Sequence, residues 1–84
     1  MGEHPGYIVA QRVRARRRSL GWTQEELAQR TGLRQSAIAR VEAGKSKNIE
    51  TRTLIKLADG LDVSIDYLVG REELEAELVT AAAS

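Results

Sequence analysis

Side chains that can bond the edges of nucleic-acid bases stand close together near the middle of this 84-residue chain. Gln35 and Arg40 are of the two types that can each bond two atoms of one base, adenine for glutamine and guanine for arginine. Ser36 lies beside them, and the small residues Ala39 and Ala43 would let a helix backbone sit deep in a groove. This combination favours sequence readout of double-stranded DNA.

A helix over residues 35–43 would hold these side chains on one face. Ile38 and Val41 are three residues apart, the spacing of a buried stripe on a helix. At about 100° per residue, the face opposite that stripe carries the polar side chains described above. We therefore expect Ile38 and Val41 to be buried and the opposite face to be exposed. A plain amphipathic surface helix would more often carry Glu and Lys there.

The preceding stretch predicts a shorter helix, from about residue 24 to 31, which a tight turn joins to the helix over residues 35–43. Thr23 can cap this helix, and Glu26 can reach back to complete a capping box. Gly32 can adopt the positive φ of a tight turn without steric cost. Ala28 is small enough to let the next helix approach. Together these residues predict a helix-turn-helix unit.

Apolar residues also recur at helical intervals in the rest of the predicted domain, and no run alternates with the two-residue period of a strand. A first helix is expected over about residues 7–19, a fourth from Glu50 or Thr51, a fifth between Ser64 and Gly70, and a sixth over about 71–80. Their predicted buried stripes are Val9, Val13 and Leu20 in the first helix and Leu54, Leu57, Ala58 and Leu61 in the fourth. Trp22 is interpreted as a core residue packed on Leu27, not as a base-stacking platform.

Three segments follow from this pattern: a flexible arm (1–6), a helical domain (7–70) and an acidic helix or tail (71–84). The charge divides unevenly along the chain. Met1 to Lys47 holds ten Lys and Arg against four Asp and Glu, a net +6, whereas Asn48 to Ser84 holds three against eight, a net −5. Such asymmetry fits a basic face for a polyanion and an acidic remainder turned away from it.

Two basic clusters are candidates for phosphate contacts. The first helix carries Arg12, Arg14, Arg16, Arg17 and Arg18. Most of these are expected to be solvated, with one or two facing phosphate. The loop Lys45–Asn48 follows the groove-reading helix directly, so its lysines would lie against the sugar-phosphate backbone.

The composition argues against other function classes. The chain has no cysteine, and its one histidine, His4, lies in the predicted arm. Neither a metal site, a cofactor site nor catalysis is expected from this set. No stretch approaches the roughly 20 apolar residues of a membrane span, and no signal-peptide pattern opens the chain. We expect a cytoplasmic protein that is not an enzyme.

The chain resembles the phage-repressor, or Cro/XRE-type, helix-turn-helix family. The similarity lies in LGWTQEELAQRTGLRQSAIARVEAGKSKN and TLIKLADGLDVSIDYLVG, within roughly Val9 to Gly70. It implies an all-α, five-helix, lambda-repressor-like DNA-binding domain, here followed by a short sixth helix. It also implies that the third helix enters the major groove, generally as part of a homodimer on a two-fold-related operator.

The resemblance also implies roles for individual residues. Those at base-contacting positions are Gln35, Ser36 and Arg40, with Arg34 close to them. Those at backbone-contacting positions are Thr23, Gln24, Lys45, Lys47 and Asn48, and Gln24 can also support the third helix. Arg17 and Glu42 match a structural ion pair. The sequence departs from the family where Arg34 replaces a capping Ser or Thr, where Ile49 replaces a common Pro, and where Asp62 replaces a Gly that needs positive φ.

These observations predict a sequence-specific DNA-binding transcriptional regulator that represses by occupying a promoter. An alternative places the main role in protein binding, as in an antitoxin or adaptor that contacts its partner through residues 71–80. Truncation after Gly70 would distinguish the two.

Overall fold

The structure, a computed structural model, describes residues 5–72 and 76, and in them the chain forms a bundle of five helices without strands. The helices are α1 (Pro5–Ser19), α2 (Gln24–Thr31), α3 (Gln35–Ala43), α4 (Thr51–Leu61) and α5 (Ile65–Val69). The predicted all-α, five-helix class is confirmed. Arg71, Glu72 and Ala76 are helical, and the other residues of the predicted sixth helix lie outside the described part.

α1 begins at Pro5, two residues earlier than the sequence pattern predicted. Proline suits the first turn of a helix, because its fixed φ is helical and the amide hydrogen it lacks would have no partner there. Pro5 and Gly6 therefore belong to α1 and not to the predicted arm. The remaining residues of that arm, 1–4, lie outside the described part.

All five helices contribute to one core. Its largest side chains, each less than 2 % exposed, are Val9 and Val13 from α1, Leu27 from α2, Ile38 from α3, Leu57 and Leu61 from α4, and Leu68 from α5. The expected stripes of α1 and α4 are therefore confirmed in their central members. Leu20 and Leu54 lie at the margin, half-buried against this core.

The turn between α2 and α3 has the predicted chemistry. Gly32 adopts φ 75° and donates its N–H to the Ala28 carbonyl at 2.9 Å. Leu33 then donates its N–H to the Thr31 hydroxyl at 3.2 Å. The capping box of α2 is complete, with Thr23 Oγ1 accepting from the Glu26 N–H and the Glu26 carboxylate accepting from the Thr23 N–H. These local bonds fix the direction in which α3 leaves the turn.

α4 ends at a residue other than glycine. Asp62 adopts φ 55°, the only positive φ outside glycine in the described residues, and its N–H bonds back to the last turn of α4. Aspartate tolerates this conformation better than most residues because its short polar side chain can bond locally. The departure at Asp62 therefore leaves the helix terminus intact.

Candidate nucleic-acid interface

α3 separates a buried face from an exposed one. Ile38 is fully buried and Val41 is 6 % exposed. The exposed residues of the helix are Gln35, Ser36, Ala39, Arg40 and Ala43. This is the division that the helical spacing predicted. The outward face therefore combines long polar side chains with alanines that leave the helix backbone accessible.

Arg34 precedes this face as the amino-terminal cap residue of α3. Its backbone is extended, with φ −72° and ψ 147°, and its side chain makes no capping hydrogen bond. Arg34 is exposed, at the same end of the helix as Gln35 and Ser36. Because its side chain takes no part in capping, the guanidinium of Arg34 is a cation beside the amino-terminal end of the outward face.

An ion pair holds α3 against α1. Arg17 donates from Nε to Glu42 Oε2 at 2.7 Å and from Nη2 to Glu42 Oε1 at 2.8 Å, which is a bidentate pair. Glu42 is 5 % exposed, the one buried charged residue among those described. The hydrogen bond to Glu42 raises the pKa of Arg17 more than burial lowers it, and the nearby negative charge raises it further. Arg17 therefore remains charged, and it ties the inner side of α3 to the bundle.

α2 joins the same network through Gln24. Its side-chain amide donates to Glu42 Oε1 at 3.2 Å, so one carboxylate receives bonds from two different helices. Arg17 also donates from Nη1 to the Trp22 carbonyl at 2.9 Å, just before α2 begins. Because Gln24 and Glu42 belong to the two helices of the helix-turn-helix unit, this bond fixes one helix relative to the other.

The loop after α3 lies beside the outward face. Lys45, Lys47 and Asn48 are exposed. A cleft of about 200 Å³ lies between α3, this loop and the start of α4, and its lining includes both Arg40 and Asn48. The structure thus brings the loop and the carboxyl-terminal half of α3 together around one concave surface.

Three of the five arginines in α1 hold other elements. Besides Arg17, Arg12 donates from Nη1 to the Tyr67 carbonyl at 2.8 Å, and Arg16 donates from Nε to the Leu61 carbonyl at 2.9 Å. Cations are favourable at these sites because helix carboxyl ends carry partial negative charge and unpaired carbonyls. The expectation of a mostly solvated arginine cluster is therefore wrong for Arg12 and Arg16.

The helical spacing of α1 contained a signal for Arg16 that the sequence reasoning missed. Arg16 is three residues after Val13 and four before Leu20, so it lies on the apolar stripe itself. A guanidinium at such a position needs an acceptor within the protein. Arg14, which is half-buried, and Arg18, which is exposed, make no hydrogen bond or ion pair within residues 5–72 and 76. These two remain the candidates in α1 for a phosphate contact.

Trp22 packs against the core, as its interpretation required. The guanidinium carbon of Arg30 lies 4.1 Å from the centre of the indole ring. A cation over the ring at this distance is a favourable contact and occupies one face of the ring. This arrangement uses Trp22 for structure and not for stacking on a base.

Comparison with known proteins agrees with this geometry. The family model described as helix-turn-helix matches residues 13–68, which include all of α2, α3 and α4. This chain belongs to the Cro/XRE-type helix-turn-helix family. The family consists of transcription regulators, not enzymes, and this helix-turn-helix protein is a DNA-binding transcriptional regulator.

Two curated relatives lie in the same family. The control protein C.SmaI of Serratia marcescens is 39 % identical over 70 residues, which cover 83 % of this chain and 82 % of that protein. The HTH-type transcriptional regulator ImmR of Bacillus subtilis (strain 168) is 30 % identical over 66 residues, covering 79 % of this chain but only 51 % of ImmR.

Two solved structures share the fold. The amino-terminal DNA-binding domain of SinR from Bacillus subtilis has a TM-score of 0.71 and 28 % identity, and the match covers 75 % of this chain and 91 % of that domain. The hypothetical transcription factor NHTF from Neisseria has a TM-score of 0.71 and 32 % identity, covering 84 % of this chain and 83 % of that one. No helix within residues 5–72 and 76 could cross a membrane.

Proposed function

We propose that this regulator binds a specific double-stranded DNA site as a homodimer, inserts α3 into the major groove and represses transcription by occupying a promoter. The outward face of α3 carries the proposal. Gln35, Ser36 and Arg40 are all exposed on one short helix, while Glu42 on the opposite side is held by two other helices. A polar face on a rigidly held helix is what groove readout requires, since the side chains are aimed before DNA arrives.

Base readout is assigned to the amino-terminal two-thirds of this face. Gln35 and Arg40 can bond adenine and guanine respectively, each through two atoms, and Ser36 can bond any base. Arg34 lies at the edge of the face, from which it can reach a base or a phosphate. These contacts would set the preferred sequence, whereas phosphate contacts would provide much of the affinity.

Backbone contacts are assigned to the residues that flank α3. Lys45, Lys47 and Asn48 are exposed in the loop that follows it. At the start of α2, the oxygen of the Thr23 hydroxyl accepts from the Glu26 N–H, which leaves the hydroxyl hydrogen to donate to a phosphate. Gln24 is half-buried, and its bond to Glu42 makes it primarily a support for α3. Its side chain can also lie close to the sugar-phosphate backbone of the DNA.

Dimer formation is inferred from the size of the module. A single domain of this kind offers a small contact area, whereas two copies about 34 Å apart can present their recognition helices to the same side of the duplex. We place the protein in the cytoplasm, because bacterial DNA lies there and its named relatives come from bacteria. The related protein from Serratia marcescens is named a control protein, which agrees with a regulatory role.

The test begins with selection of bound sites from a random duplex pool, followed by titration of the selected duplex. Arg40→Ala should lose roughly 1–3 kcal/mol of binding free energy, concentrated at one base pair. Arg30→Ala is the matched control, because it removes an exposed arginine from α2 without touching the outward face of α3. If Arg40→Ala selects the same sequence as the unmutated protein, the readout assignment is wrong.

The role of residues 71–84 is tested by truncation after Gly70, which caps the carboxyl end of α5 and so leaves α1 to α5 complete. Loss of both the dimer and the affinity for the selected duplex would make the segment a dimerisation element. Retained DNA binding with loss of a co-purifying protein would favour the partner-binding alternative. Sedimentation or light scattering supplies the oligomeric state in each case.

A further inference from the structure

One acidic side chain lies within the proposed DNA interface. Glu50 is exposed and lines the cleft whose lining also includes Arg40, Ser46 and Asn48. As the amino-terminal cap residue of α4 it makes no side-chain capping bond. Glutamate is not among the residues that cap a helix well, which are Ser, Thr, Asp and Asn. The carboxylate of Glu50 therefore has no role in capping α4.

The charges in this cleft are not neutralised by each other. Neither Arg40 nor Glu50 forms an ion pair with any residue in the ranges 5–72 and 76. A DNA strand that approaches Arg40 would therefore meet, in the same cleft, a carboxylate that no ion pair among these residues neutralises. Glu42, the acidic residue of α3 itself, is buried and bonded by Arg17 and Gln24, so it has no such effect.

We propose that Glu50 is a negative determinant of DNA affinity: its carboxylate repels the phosphates that flank the site of Arg40 and so limits binding that depends on the backbone alone. The inference rests on the proposed placement of α3 in the major groove. A like charge near the backbone lowers affinity for every duplex, so that tight binding depends on base contacts as well. Because this penalty applies to all duplexes alike, it leaves the ratio of specific to non-specific affinity unchanged and lowers the fraction of protein held on DNA without base contacts.

The size of the effect follows from Coulomb's law with water-like screening. Two unit charges about 6 Å apart in water interact by an amount equivalent to roughly a three-fold change in affinity. Salt weakens such interactions, because the Debye length falls from about 10 Å at ~0.1 M to about 3 Å at ~1 M. A repulsive carboxylate should therefore matter most at low ionic strength.

The test compares Glu50→Gln, which keeps the size of the side chain, with Asp59→Asn. Asp59 is an exposed acid on the same helix, about 13 Å further along its axis at ~1.5 Å per residue, and lies outside the cleft. Each protein is titrated by fluorescence anisotropy against the selected duplex and against an unrelated duplex, at several salt concentrations. Thermal melts establish that both variants are folded.

Glu50→Gln should bind both duplexes about three-fold more tightly per protomer at low salt, with the gain shrinking as salt rises, while Asp59→Asn changes little. A changed preference at one base pair would mean that Glu50 accepts from a base such as cytosine, and would overturn the proposal. Unchanged affinity in Glu50→Gln would also overturn it. Equal binding of the selected and the unrelated duplex by the unmutated protein would instead refute the proposed function. Failure of the proposed function can therefore be distinguished from failure of the proposal for Glu50.

Discussion

Gly60 on α4 lies directly against Thr31 on α2, and the contact leaves no room for a side chain at position 60. A Cβ atom built on Gly60 would come 2.6 Å from Thr31 Cγ2. The Thr31 hydroxyl donates to the Leu27 carbonyl at 2.9 Å and accepts the Leu33 N–H at 3.2 Å. The same threonine therefore packs α2 against α4 and supports the turn that leads into α3.

Gly60→Ala should destabilise the protein by about 1–3 kcal/mol, the usual cost of overpacking a close contact. The reason is that Thr31 must move, and its hydroxyl bonds move with it. Chemical denaturation measures the change in the free energy of unfolding. In a Thr31→Ser background the methyl group is absent and the hydroxyl remains, so the added alanine should be neutral or stabilising by up to about 1 kcal/mol, as expected for Ala over Gly in a helix. An equal destabilisation in both backgrounds would contradict this contact.

Arg17→Ala should lower the free energy of unfolding by about 3 kcal/mol, because it leaves the Glu42 carboxylate buried without its bidentate partner. Arg18→Ala removes an exposed neighbouring arginine and should change stability by less than about 0.5 kcal/mol. Replacing both partners, as in Arg17→Met with Glu42→Leu, should recover much of the stability because no charge remains buried. A melt of Arg17→Ala that matches the unmutated protein would exclude a structural role for the pair.

The contribution of Arg17 should not vary across the neutral pH range. Its folded-state pKa is raised, chiefly by the hydrogen bond to Glu42, so its stabilisation is fully present below the unfolded-state value. The stabilisation disappears only as pH rises through the folded-state value, and both values lie far above neutrality. Denaturation curves of the unmutated protein and of Arg17→Met with Glu42→Leu, which leaves no titratable group at the pair, should therefore differ by a constant amount between about pH 6 and pH 9.

Lys47→Ala should weaken binding to all duplexes about equally, because a phosphate contact carries no direct sequence information. The slope of log K against log salt concentration should become shallower by about 0.9 for each phosphate that is no longer neutralised, hence by roughly 2 for a dimer. Titrations of the selected and unrelated duplexes over a salt series measure both quantities. Weaker binding of the selected duplex alone would assign Lys47 to base readout instead.

Arg30→Ala should cost about 0.5–1 kcal/mol of stability by removing the cation that lies over the Trp22 ring. The substitution uncovers one face of the indole, so the tryptophan fluorescence of the native protein should shift. Binding of the selected duplex should be unaffected once the small stability difference is taken into account. Strong quenching of Trp22 by DNA in the unmutated protein would instead revive the base-stacking interpretation.

The helix-turn-helix unit could be predicted closely because the interactions that define it are local. The capping box joins Thr23 and Glu26, the turn needs a positive φ at Gly32, and the stripe of α3 follows from residues three apart. The outward face of α3 follows from the same spacing. The start of α1 was less predictable, since a proline beside a glycine favours a helix beginning and a loop almost equally.

The sequence by itself thus determined the helices, their order and the exposed face of α3, since each depends on residues within one or two turns of one another. Only the tertiary structure decided the partners of the α1 arginines, because Arg12 and Arg16 bond carbonyls 55 and 45 residues away. It likewise decided that Glu50 shares a cleft with Arg40. The physical reason is that local spacing can place a charged side chain on a buried stripe, as it does for Arg16, but it cannot identify a distant acceptor, which only the packing of the helices brings within reach.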